Sequence, residues 1–174
     1  MPPAHAIVSP DDACAVPVTV FAERRVSADD GMLAYLRTVA LPEMGSTPFV
    51  RPRLLRDAQV AIVTTAGLQV AGQEAFGWFD TSYRVLPGER RDLEMSHHSQ
   101  NFDRSGAIAD LNVVYPVDRL AELAEIGHIG SVAPTHISFM GAQRELETLI
   151  HDTGRAAAAH LREQGTNVAV LTPV

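Results

Sequence analysis

The chain has 174 residues, enough to bury about two-thirds of the surface its unfolded form exposes. Its 46% hydrophobic and 20% charged residues exclude extended disorder and call for one packed core. A formal net charge of -7, spread along the sequence, excludes nucleic acid as a partner, and the absence of any apolar run of about eighteen residues excludes a membrane span.

The first thirty residues carry Pro and Asp where a signal peptide needs an unbroken apolar run, so a cytoplasmic protein is expected. Residues 1–27 show no sustained period and read as an irregular arm, and residues 28–174 read as a single α/β domain. From Ala28, Met32, Leu33, Leu36 and Val39 fall at helical spacing, with Asp29 and Asp30 in the first turn and Pro42 as the stop. Ala58 to Thr65 is a continuous apolar, β-branched run, the pattern of a strand buried on both faces. Leu68 to Phe79 shows no period and reads as a long loop.

Thr81 to Leu86 and Leu93 to His97 read as short strands around the turn signal Pro87-Gly88, and Asn112 to Tyr115 as another strand. Pro116 at a helix start opens a helix with Val117, Leu120, Leu123 and Ala124 on one face and Gly127 as its cap. Ser131 to Phe139 is extended, Ala142 to Gln164 is a long helix closed by Gly165, and the last apolar run, from Asn167, is a strand. Strands alternating with helices imply right-handed crossovers, hence an α/β fold with a mainly parallel sheet flanked by helices, a Rossmann-like three-layer sandwich.

Polar residues gather at expected strand ends, where open α/β sheets bind ligands. The run Asp80 to Arg84 offers Asp80, Ser82 and Tyr83, and Ser96 to Asp110 offers His97, His98, Asp103 and Arg104. Imidazole titrates near neutral pH, so His97, His98 and His136 are candidate acid/base residues. Asp103 to Gly106 fits a helix cap, and Arg104 at the same helix start suits an anionic group. Thr135 and His136 close a strand before the long helix, so a ligand carboxylate fits there; a buried histidine bonded to backbone fits the same position.

Adjacent histidines in a strand point to opposite faces, which argues against a shared metal ion, and none is expected. Gly67, Gly72 and Gly77 are five apart and miss the dinucleotide fingerprint, so no cofactor is expected. All fourteen basic residues are arginine, which excludes a lysine nucleophile. Cys14 is the only cysteine and has no disulfide or redox partner in the sequence.

Three stretches taken together, VAIVTTAGLQVAGQEAF, DTSYRVLPG and SHHSQNFDRSGAIADLNVVYPVDRLAELAEIGHIGSVAPTHISFMG, resemble the B-subunit (selenoprotein B) family of glycine, sarcosine, betaine and D-proline reductases. The resemblance covers Val60 to Gly141 and continues more loosely to Val174. It implies chemistry in which a selenocysteine or cysteine attacks the substrate carbon, displaces an amine and is re-reduced by thiols. In the family that nucleophile follows a strand resembling VAVLTPV, whereas the sequence here stops at Val174.

The family's redox residue is therefore expected to be missing, either because a selenocysteine codon ended translation or because a natural short form works with a partner. The leading expectation is a reductase-family domain that binds a small amino- or carboxylate-bearing substrate and forms a homo-oligomer or joins a partner subunit. A lyase or hydrolase using a histidine acid/base and a non-catalytic assembly module are the alternatives.

Overall fold

A computed structural model describes residues 30–31, 33–35, 37–40, 50–51, 53–99, 102–144 and 146–174. The expected arm with Cys14, and part of the helix expected from Ala28, lie outside these residues. The chain divides into two compact units, Met1–Thr47 and Pro48–Val174. Of the first, residues 30–31 and 33–35 are helical.

The second unit is built on β1 (Gln59–Thr64), with β5 (Ser131–Val132), β6 (Thr135–Phe139) and β7 (Val168–Thr172) parallel to it. β7 pairs with β1 from Val60 to Thr64, while β5 and β6 meet it in succession, at Gln59–Val60 and at Val63–Thr64. β3 (Tyr83–Pro87) then adds to β6 in the antiparallel sense, so the sheet is mixed where a mainly parallel one was expected. A second sheet pairs β2 (Leu68–Val70) with β4 (Leu93–Met95), also antiparallel. The two strands around Pro87-Gly88 therefore do not pair with each other. β3 ends against β6, with the Gly88 N–H donating to Pro134 O at 2.8 Å, and β4 returns to residues expected as loop.

Alternation along β1 divides the core. Val60 and Ile62 face a cluster with Leu120 and Tyr115, while Ala61 and Val63 face Ala157 and Leu161. This two-sided cover is why the run from Ala58 carries no polar face. Besides the short α1 (Ser105–Ala109), the flanking helices are α2 (Val117–Glu125), which supplies Leu120, and α3 (Gly154–Glu163), which supplies Ala157 and Leu161.

Two further expectations are corrected. Asn112 to Tyr115 is no strand: Leu111–Val113 forms a 3-10 turn. The Asp110 carboxylate accepts from the Asn112 N–H at 2.9 Å, and Asn112 Oδ1 accepts from the Asp118 N–H at 3.1 Å. Such local bonds offer the backbone an alternative to a ladder. The long helix expected from Ala142 begins at 147 and opens with a π-helical turn, Leu149–Thr153, before α3. Gly154 allows this, because a Cβ there would collide with the Leu149 carbonyl oxygen.

Candidate functional site

The parallel strands β1, β6 and β7 end together at Thr64, Phe139 and Thr172. The segments that follow them, Thr65, Met140–Gln143 and Val174, meet the π-helical turn around a cavity of about 550 Å³. Its lining is mostly apolar, with Phe139, Met140, Leu146, Leu149 and Val174, and with Thr65 and Gln143 as polar members.

His97 lies against Gly141, which lines this cavity. The chain beyond β4 is held to Gly67, whose carbonyl accepts from the Ser96 N–H at 2.9 Å, and this brings His97 under the end of β1. Its ring is 3% exposed and meets the edge of Phe102 at 4.8 Å. Nδ1 accepts from the Ser99 N–H at 3.2 Å, which leaves the neutral ring's proton on Nε2, and Nε2 is buried with no partner among the described residues. Gly141 covers that nitrogen: an added Cβ would stand 2.6 Å from it. Burial, then the Arg104 charge and His98, lowers the His97 pKa, so the ring is neutral and a donor near pH 7. An Arg104 guanidinium nitrogen donates to the His97 carbonyl.

The other sequence candidates fall into three groups. Asp80, Ser82 and Tyr83 flank the cavity rather than enter it. The Asp80 carboxylate accepts from the Ser82 N–H at 2.8 Å and pairs with Arg84 at 3.5 Å; burial alone would raise its pKa, but these Ser82 and Arg84 interactions outweigh that and lower it. The Asp80 carbonyl accepts from Gln143 Nε2 at 2.7 Å, and Tyr83 packs on the cavity residue Phe139 at 5.8 Å between ring centres. His98 and Asp103 are held by neighbours: His98 Nε2 bonds the Phe76 carbonyl at 2.7 Å and stacks on Trp78, and Asp103 accepts from the Ser105 N–H at 2.9 Å, which lowers its pKa.

The third group, Thr135 and His136, lies at the opposite end of β6 from Gly141. Thr135 Oγ1 bonds His160 Nε2 at 2.9 Å and Gln164 Oε1 at 2.8 Å, both on the α3 side. His136 is fully buried; its Nδ1 accepts from the Ile62 N–H at 3.0 Å and its ring meets Tyr115 edge-on at 5.4 Å. Burial, then Arg91, lowers its pKa to about 4, and burial raises that of Tyr115. The structure thus sets His97 against the cavity residue Gly141, with Arg104 bonded to its carbonyl, and leaves His136 in the core. Gln143 and Thr65 were not expected, and nothing in their local sequence signals them. Among the described residues no group of three or more His, Cys, Asp or Glu side chains is arranged to hold a metal ion.

The chain is 33% identical over 119 residues to the D-proline reductase subunit gamma of Acetoanaerobium sticklandii, a match covering 68% of this chain and 49% of that relative. The chain thus spans about half the length of the curated relative it matches. No family model and no solved structure matches. The similarity supports a distant relation to the reductase family and does not bear on selenoprotein B. The relative is by name a subunit of a larger enzyme. Among the described residues no helix is long and apolar enough to cross a membrane.

Proposed function

We propose that this domain binds a small amino- or carboxylate-bearing substrate for thiol-dependent reductive cleavage of a carbon–nitrogen bond, in the cavity at the C-terminal ends of β1, β6 and β7. The observation that carries this reading is the buried His97 Nε2, without a partner among the described residues, against Gly141, which lines that cavity. A neutral imidazole donor in a site of low polarity suits a carboxylate, since charge-assisted hydrogen bonds strengthen away from water. The relation to a D-proline reductase subunit supports the reaction class.

In this reaction the carbon–nitrogen bond breaks, two thiols become a disulfide, and their two protons and two electrons leave one hydrogen on the carbon and one on the nitrogen. Cys14, the only cysteine of the sequence, lies outside the described residues, and the sulfur or selenium nucleophile is supplied by a partner or by residues other than those described. His97 binds and orients the substrate, and Arg104, through the His97 carbonyl, positions it. The protein works in the cytoplasm, where thiols stay reduced, as one subunit of an assembly.

Glycine, sarcosine, betaine and D-proline, titrated into the purified chain while the histidine imidazoles are followed by NMR, test this. The expected result is saturable binding of at least one of them with a shift of the His97 signals, and no ring-opened or deaminated product with dithiothreitol alone. Binding of none at millimolar concentration, or binding that leaves His97 unmoved, refutes the assignment.

A further inference from the structure

Two polar atoms at the loop Met140–Gln143 have no partner among the described residues. One is His97 Nε2; the other is Gln143 Oε1, also buried. Both are fixed in kind. The Gln143 amide cannot turn its oxygen away, because its Nε2 donates to the Asp80 carbonyl at 2.7 Å and the Met140 carbonyl at 3.0 Å, and a flipped amide would set an acceptor against two acceptors. The His97 ring cannot move its proton from Nε2 without losing the bond that Nδ1 accepts from Ser99. One committed acceptor in the loop and one committed donor against it are therefore left over.

In the loop Ala142 has φ 56°, the left-handed conformation that a residue with a side chain adopts at a cost. Leu149 of the π-helical turn and Gly154, which follows it, line the same cavity, so an irregular helix start adjoins the loop. Strained backbone beside unsatisfied polar atoms marks a segment built for a second arrangement rather than for stability.

We propose that Gln143 and His97 form the specificity pair of this site: the loop shifts at Ala142 to admit the ligand, Gln143 Oε1 receives a ligand N–H, and His97 Nε2–H donates to its carboxylate. The inference rests on the substrate reading above and narrows it. The ligand class is a small zwitterion with an N–H and an apolar body, the body resting on Phe139, Leu146 and Leu149. A site that satisfies a buried acceptor only with an N–H rejects the analogue lacking it, because that acceptor is then desolvated for nothing.

Calorimetry with D-proline and with cyclopentanecarboxylate, which keeps ring and carboxylate but has no nitrogen, tests the pair. The wild-type chain is expected to prefer D-proline by about tenfold or more, and Gln143→Leu to bring the two within about twofold by weakening D-proline alone. Gln143→Met, of similar length, serves if the Leu variant fails to fold, with a thermal melt as the check. His97→Phe is expected to weaken both ligands together. A folded Gln143 variant that keeps the tenfold preference, or a wild-type chain that binds neither ligand, overturns this assignment and leaves the substrate reading to the four-ligand titration above.

Discussion

Acid should loosen this fold through one side chain, His136. The ring is fully buried between β1 and the Tyr115 ring, and Arg91 is the charge acting on it. Burial, then Arg91, takes its pKa from 6.5 to about 4. The unfolded chain takes up this proton near pH 6.5, whereas the folded chain resists it until about pH 4. The contribution is therefore fully present above pH 6.5 and is lost as pH falls from 6.5 towards 4. Over that window the drop corresponds to about 3 kcal/mol.

The comparison that isolates it is His136→Asn, which keeps an acceptor for the Ile62 N–H and has no proton to gain. Urea unfolding of both chains at pH 7.5 and 4.5 should show the wild type more stable at the higher pH. The gap should close by about 2.5 kcal/mol at the lower, roughly 1–2 M in the difference of urea midpoints. The pKa of His97 is lowered too, by burial first and then Arg104, but both chains share it and it cancels in the difference. Parallel stability curves for the two chains would refute the reasoning and mean that the His136 ring is protonated without leaving the core.

Two glycines separate the cavity from the scaffold. Gly141→Ala places a Cβ 2.6 Å from His97 Nε2 and 3.0 Å from the Thr65 carbonyl oxygen, so it should cost stability by about 1–3 kcal/mol and weaken ligand binding in calorimetry. Unimpaired binding in that variant would mean that His97 swings clear and is not the buried donor. Gly130→Ala places a Cβ 2.9 Å from the Ala58 oxygen and 3.0 Å from the Arg56 oxygen, both backbone, so it should lower the melting temperature by a similar free energy while the folded fraction binds ligand normally. Lost binding per folded molecule would place the ligand somewhere other than the far end of β1.

The α/β class and several elements were legible because each is dictated locally. The run from Ala58 has β-branched residues and no polar face, Pro116 opens α2, and Gly165 closes α3. His97 and Arg104 were named as candidates from residue type and from their place after an expected strand and at an expected helix start. What could not be read was everything set by partners distant in sequence. Asn112 to Tyr115 has a strand's composition, yet Asp110 and Asp118 bond Asn112 and turn it. β3 and β4 flank a turn signal, yet each finds its ladder elsewhere, so the sense of the sheet was not in the local pattern. The split among the histidines has the same cause. His97 and His136 look alike as residues near strand ends, but His136 faces Ile62 across β1 and β6 while His97 is carried by β4 to Gly141. Sequence determined which groups were available for chemistry; tertiary structure decided which of them lies beside the cavity and which in the core, because the burial of a polar atom depends on what the rest of the chain packs against it.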